Sequence, residues 1–268
     1  MSWQKNLLPS QGDWINLDNA ASTPLFPELI EIYPKLQQLA FANPSSPHKL
    51  GTALKRHLAN MERELLSALY IPPAEATVIW TSGGTEANNL ALTGCMRGYP
   101  CALILTSSAE HASVANTLRT VGNAQTLTID SKGQLIWDAL EQRLQAVKPR
   151  LISVTSVQNE TGVIHDLIRL RQMMQQAAPE GLLHTDAVQA AGKLPIPWQE
   201  ASLDILSISG HKFHGPGGVG ALIIRKGLEL YPLIHGGGQQ NGLRSGSIDV
   251  VGITAMTIAA SHSSMAGN

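Results

Sequence analysis

Residues 205–224 read ILSISGHKFHGPGGVGALII. Two short apolar runs, Ile205–Ile208 and Gly220–Ile224, flank a segment rich in glycine that also carries a lysine and two histidines. Continuous apolar runs of this length, bounded by turn residues, read as strands buried on both faces. GPGGVG (215–220) matches the dinucleotide-binding pattern GxGxxG, but that pattern must follow a strand and open a helix, and here it precedes the apolar run ALII. It reads as a hairpin-like turn, which removes the case for a nucleotide-binding dehydrogenase. Lys212 stands at the end of the first strand, beside His211. A lysine there can form a Schiff base with an aldehyde cofactor once desolvation or neighbouring cations lower its pKa. A solvated lysine is the alternative.

Upstream the same rhythm repeats. Strand candidates are Thr77–Thr81, Ala102–Thr106, Leu151–Val157 and Leu182–His184, and helical spacing fills residues 86–96, 111–121, 137–147 and 166–177. Two further helices fit 28–40 and 49–70. Strands alternating with helices give an α/β fold with a mostly parallel sheet and helices on both faces. Ligands of such sheets bind at the carboxyl ends of the strands. The segments that follow the strands are SGGTE (82–86), SSAEH (107–111), QNETG (158–162), TDAVQ (185–189) and SGHK (209–212). Linkers alone would be Gly, Asn, Asp and Pro. This mixture of histidine, lysine and carboxylate at one edge points to chemistry.

In SGGTE, two glycines free the backbone and Thr85 can cap the following helix, whose N-terminus favours an anion such as phosphate. An ordinary N-cap explains the same residues, and no Gly-Lys-Ser/Thr follows to make a P-loop. Asp186 needs a cationic or N–H partner. The protonated ring nitrogen of pyridoxal phosphate is one, and a helix N-cap is another. His111 can stack on a cofactor ring, act as acid or base, or serve structure alone. His211 and His214 lie in a loop with no third ligand nearby, so no metal site is expected.

SGGTEANN (82–89), AEHASV (109–114), QNETG, HTDAVQ (184–189), SGHKFHGPGGVGAL (209–222) and HGGG (235–238) with RSGS (244–247) occur in that order. Together with LDNAASTP (17–24) and NPSSPH (43–48), this set resembles the cysteine desulfurases of the class V aminotransferase group, from about Leu17 to the end of the chain. The resemblance implies the large domain of a fold type I pyridoxal 5'-phosphate enzyme over 17–258, with a lead-in at 1–16 and a tail at 259–268. It implies that Lys212 holds the cofactor and moves the Cα proton, and that Asp186 pairs with the pyridine nitrogen. His111 would stack on the ring and take part in proton transfer. Gln189 would bond the ring hydroxyl, with Asn159 beside it. Gly84, Thr85, Ser209 and His211 would hold the phosphate, and Ser247 would reach the phosphate of a neighbouring subunit. The implied reaction converts L-cysteine to L-alanine and passes sulfur to a cysteine thiolate, in a homodimer serving a sulfur acceptor or iron–sulfur scaffold protein.

The same resemblance places the persulfide-forming cysteine, the carboxylate-clamping arginine and most of the small domain beyond Asn268. The expectation is therefore a truncated chain that binds cofactor without full turnover. Another class V enzyme (a selenocysteine lyase, epimerase or transaminase) and a non-catalytic remnant that dimerises stay open. Cys95 and Cys101 both read as buried apolar residues, Cys101 at the start of a strand. Charged residues make up 15% and net charge is −1, so nucleic acid and anionic membranes are not expected partners. The low charge leans toward a face buried in an oligomer. With no signal-peptide pattern, no spanning run and no CxxC pair, a cytoplasmic location is expected.

Overall fold

Apolar side chains alternate between two layers along each central strand. Val78 and Trp80 face one hydrophobic cluster and Ile79 the other. Leu151, Leu182, Ile205 and Leu222 share the second cluster, while their chain neighbours Ile152, Leu183, Leu206, Ala221 and Ile223 belong to the first. Successive side chains of a strand point to opposite faces, so a strand apolar at every position must be covered on both. The structure, a computed structural model that describes residues 15–266, supplies both covers.

The strands are β1 (Ala76–Thr81), β2 (Ile104–Ser107), β3 (Ala124–Leu127), β4 (Leu151–Ser153), β5 (Leu182–Asp186), β6 (Ile205–Ser209) and β7 (Gly220–Arg225). They form one sheet in the order β1-β7-β6-β5-β4-β2-β3. β7 runs antiparallel to β1 and β6, and the remaining pairings are parallel. The helices are α1 (Pro27–Leu39), α2 (Lys49–Ala68), α3 (Gly84–Met96), α4 (Ala112–Val121), α5 (Trp137–Ala146), α6 (Leu167–Ala177) and α7 (Val250–Ala266). α3 and α4 cover one face; α2, α5, α6 and α7 cover the other.

Each strand expected from the sequence is present, with the expected run at 151–157 pairing only as far as Ser153. β3 was not expected. It is a four-residue edge strand, AQTL, with only Leu127 buried, so its pairing with β2 leaves no hydrophobic pattern in the sequence. α7 runs eight residues past 258, through most of the stretch expected to be a tail. The Ser261 and Ser264 hydroxyls there donate back to the Thr257 and Ser261 carbonyls, which keeps polar residues inside a helix. All but the last two residues of the expected lead-in lie outside the described residues.

β1 is an edge strand, and side chains close its open edge. The Val78 N–H donates to Glu62, at 3.1 Å. The Trp80 N–H donates to the Gln240 side-chain oxygen at 2.7 Å, and the Gln240 amide donates back to the Trp80 carbonyl at 2.9 Å. The Gln240 amide thus stands in for a neighbouring strand and blunts the edge.

The join between β1, α3 and β7 positions the site. Gly83, with φ 151°, is the N-cap of α3. A Cβ at Gly220 would lie 2.6 Å from the Ile208 carbonyl oxygen and 2.7 Å from the Gly83 backbone. Only glycine lets the three chain segments meet there, and that contact sets the N-terminus of α3 beside the end of β6.

Candidate active site

The carboxyl ends of β1, β2, β4, β5 and β6 open onto one cavity of about 490 Å³. Gly84, Thr85, His111, Asn159, Asp186, Gln189, Ser209, His211 and Lys212 all line it. Ser247 does not. It borders a separate recess with Asn43, Pro44 and Gln239.

Asp186 ends β5 and is 4% exposed. Its Oδ2 accepts from the Asn88 amide at 2.7 Å and its Oδ1 from the Val188 N–H at 2.9 Å. Burial pushes its carboxyl above the usual range, against the pull of those donors and of His111 and Lys212. No salt bridge reaches Asp186 among the described residues. A buried carboxylate at a cavity wall, with neutral donors only, suits a cationic ligand atom.

Lys212 closes a single 3-10 turn, Gly210–Lys212, directly after β6. Its ammonium donates to the carbonyls of Ala20 and Ala21 at 2.6 and 2.8 Å. Burial lowers its pKa, opposed by Asp186 and Asp18. The segment it grips lines the cavity through Asp18, Ala20 and Ala21. Thr23 donates its N–H and its hydroxyl to the His211 carbonyl, and Gln189 donates to the Ala20 carbonyl at 2.8 Å. Gln189 therefore holds this segment, and its own oxygen accepts from Lys193.

The N-terminus of α3 faces the cavity with N–H groups that have no partner inside the helix. Thr85 does not cap this helix, contrary to expectation. Gly83 occupies the cap without a side chain, and Thr85 sits in the first turn. The Glu86 carboxylate instead accepts from the Ser82 N–H at 2.7 Å and pairs with Arg244 at 2.8 Å. Burial opposes its ionisation, but the Arg244 and Ser82 hydrogen bonds hold its carboxyl below the usual range. Arg244 thereby offsets a negative charge in the first turn of α3. Ser209 Oγ lies 3.0 Å from His211 Nδ1. Burial, then Lys212, lowers the pKa of His211.

His111 is the N-cap of α4, and its Nδ1 accepts from the Ser113 N–H at 3.1 Å. The proton of the neutral ring then sits on Nε2. Ser113 Oγ lies 2.8 Å from the same nitrogen. Asn159 is carried on the turn after β4, where Gln158 accepts from the Glu160 and Thr161 N–H groups. His211 and His214 do not converge: His214 contacts the Pro24 carbonyl and packs its ring on Phe26.

Cys95 is buried in α3, and burial pushes its thiol up to about 12. Cys101 is exposed in a turn ahead of β2, not buried at a strand start as expected. Tyr99, Pro100 and the following residues turn the chain outward before β2 begins at Ile104. Neither cysteine lines the cavity.

These donors fit pyridoxal 5'-phosphate. A primary amine on Lys212 suits its aldehyde, the α3 N-terminus with Ser209 and His211 suits its phosphate, and the buried Asp186 suits its ring nitrogen. The sequence reading missed Asn88, Glu86, Arg244 and Glu110. Of these only Glu86 left a signal, its position three residues after the helix cap.

Glu110 supports the wall next to His111. Its Oε1 accepts from the Ser107 hydroxyl at 2.7 Å and the Thr155 N–H at 2.9 Å, which ties the end of β2 to the chain after β4. Burial pushes its carboxyl up to about 8, against those two donors. Because the folded pKa is raised, this group favours the fold most below its unfolded pKa, and that contribution is lost as pH rises toward 8. The midpoint of urea unfolding should fall between pH 5 and pH 8.5 more steeply in the parent than in Glu110→Gln. Equal falls in both would show that Glu110 does not titrate in the fold.

The aminotransferase class-V family model matches residues 15–266. A cysteine desulfurase of Cereibacter sphaeroides is 39% identical over 254 residues, covering 92% of this chain and 64% of its own length. A solved NifS-like protein from Rickettsia africae superposes with a TM-score of 0.87 at 30% identity, covering 94% of this chain and 69% of that one. The structure described as SspA in complex with cysteine gives 0.83 at 33% identity, with 91% and 71% covered. The chain spans 62–64% of the length of the first curated relatives it matches. With the family's match running across the whole described fold, the chain belongs to the aminotransferase class-V family.

Proposed function

We propose that this chain binds pyridoxal 5'-phosphate and serves a cysteine desulfurase reaction, in which L-cysteine and an acceptor thiol give L-alanine and a persulfide. The convergence of Lys212, buried Asp186 and the N-terminus of α3 on one cavity carries the cofactor reading. The similarity to cysteine desulfurases, and to a structure described with cysteine, supports the substrate. When bound, the cofactor supplies an electron sink for the Cα–H bond.

The chain's own residues do the rest. The Lys212 amine, released from the Ala20 and Ala21 carbonyls, is the base that takes and returns the Cα proton. Asp186 keeps its charge against the ring nitrogen. His111, with its proton on Nε2, can donate at the cavity. Among the described residues no cysteine lines the cavity; the reading takes the acceptor thiol to be a cysteine of the enzyme, with a sulfur-acceptor or iron–sulfur scaffold protein receiving the sulfur from it.

A second copy of the chain is the remaining partner. Leu39 is 69% exposed and Phe41 78% exposed, and Phe41 borders the recess that holds Ser247. Exposed apolar groups beside a serine that lines a recess separate from the cavity support an interface there. The parent should sediment as a dimer and Phe41→Asp as a monomer. A monomeric parent would remove this part of the reading.

For the cofactor, purified chain mixed with pyridoxal 5'-phosphate should show a visible absorption band that Lys212→Ala lacks. L-cysteine with added dithiothreitol should then yield alanine in the parent only. A folded parent without the band contradicts the proposal.

A further inference from the structure

Asn88 stands one turn inside α3 and is 1% exposed. Its amide makes two hydrogen bonds, and both go to residues that touch the cavity. Nδ2 donates to Asp186 Oδ2 at 2.7 Å and to Ser113 Oγ at 2.8 Å. Ser113 Oγ in turn lies 2.8 Å from His111 Nδ1. One buried amide therefore connects the carboxylate at the end of β5 with the imidazole at the start of α4. The amide orientation is fixed by chemistry, because an ionised carboxylate only accepts.

That arrangement is costly for the fold alone. Asn88 Oδ1 is buried and has no hydrogen-bond partner among the described residues. A buried polar atom left unpaired is destabilising, and an apolar side chain would fill the same space without it. The unpaired oxygen is offset only through the two groups that the amide's donors serve, Asp186 and Ser113. What the amide provides is a donor to Asp186 and a link to His111.

We propose that Asn88 is a positioning residue that keeps Asp186 ionised toward the cofactor ring and ties its carboxylate to the His111 ring through Ser113. This rests on the cofactor reading above. Asp186 has few other sources of charge stabilisation. The Val188 N–H serves its other oxygen. His111 and Lys212 act on it from the start of α4 and from the turn after β6, the Glu110 carboxyl ahead of α4 is pushed up to about 8 by burial and adds a like charge only as pH rises toward that value, and Asp18 lines the cavity and acts on Lys212. Burial already pushes the Asp186 carboxyl up. Loss of the Asn88 donor pushes it in the same direction, so protonation begins at a higher pH and the partner of the ring nitrogen is lost sooner as pH falls.

The test is the dissociation constant for pyridoxal 5'-phosphate, read from the visible band of the intact chain between pH 6 and pH 8.5, with thermal melts of the unloaded protein as control. Asn88→Ala removes the donor, and Asn88→Leu fills the same space with no donor at all. Both should bind about tenfold more weakly than the parent at pH 6, with the deficit shrinking toward pH 8.5. Ser113→Ala breaks only the link to His111, so it should keep the parent's pH profile while changing the circular dichroism of the band. A deficit in the Asn88 variants that is the same at every pH would assign Asn88 a structural role and overturn the proposal, as would parent-like affinity throughout. A parent with no band at any pH would instead overturn the cofactor reading and this inference with it.

Discussion

A carboxylate carried into the interior at the end of a central strand is the constraint on which the site depends. Asp186 sits where β5 leaves the sheet, with the helix layer of α3 and α4 on its side. Burial there favours the neutral acid. Neutral donors from Asn88 and Val188 offset part of that cost, and in the proposed complex the ring nitrogen of pyridoxal 5'-phosphate would supply the missing cation. The surrounding polar groups follow from the same requirement. His184, two residues back on the same face, stays neutral between Ser153 and Ser207, with burial pushing its pKa down to about 3. A second positive charge beneath Asp186 is thereby avoided, and the cationic partner must come from the cavity.

Charge balance repeats at the rim. The N-terminus of α3 favours an anion, yet its first turn contains Glu86. Arg244 neutralises it, and the carboxylate is used to hold the Ser82 N–H. Lys212 is treated differently. Its ammonium rests on two backbone carbonyls, which carry no full charge and release it readily. A lysine locked in a strong ion pair could not serve as an amine at the cavity.

The sequence made the parallel sheet legible because most of its strands begin as short apolar runs and are punctuated by turn residues. It made the cavity legible because β1, β2, β4, β5 and β6 are each followed within a few residues by a residue with chemistry, from Thr85 after β1 to Lys212 after β6. Other features left no local trace. Asn88 and Asp186 are 98 residues apart, and Glu86 and Arg244 are 158 apart, so neither pair shows in any window of sequence. β3 exists because β2 offers it an edge, and its own side chains hardly mark it. Thr85 looked like a cap because Ser, Thr, Asp and Asn usually are. The glycine before Gly84 takes that place because its φ of 151° suits a backbone turn that a threonine would resist.

The central claim is that Asp186 holds a charge against the cofactor's ring nitrogen. Nitrogen-15 NMR of labelled pyridoxal 5'-phosphate bound to the chain reads that nitrogen directly. The account predicts a protonated pyridine nitrogen in the parent at pH 8, and an unprotonated one in Asp186→Ala when the cofactor is bound. An unprotonated nitrogen in the parent at that pH would contradict it.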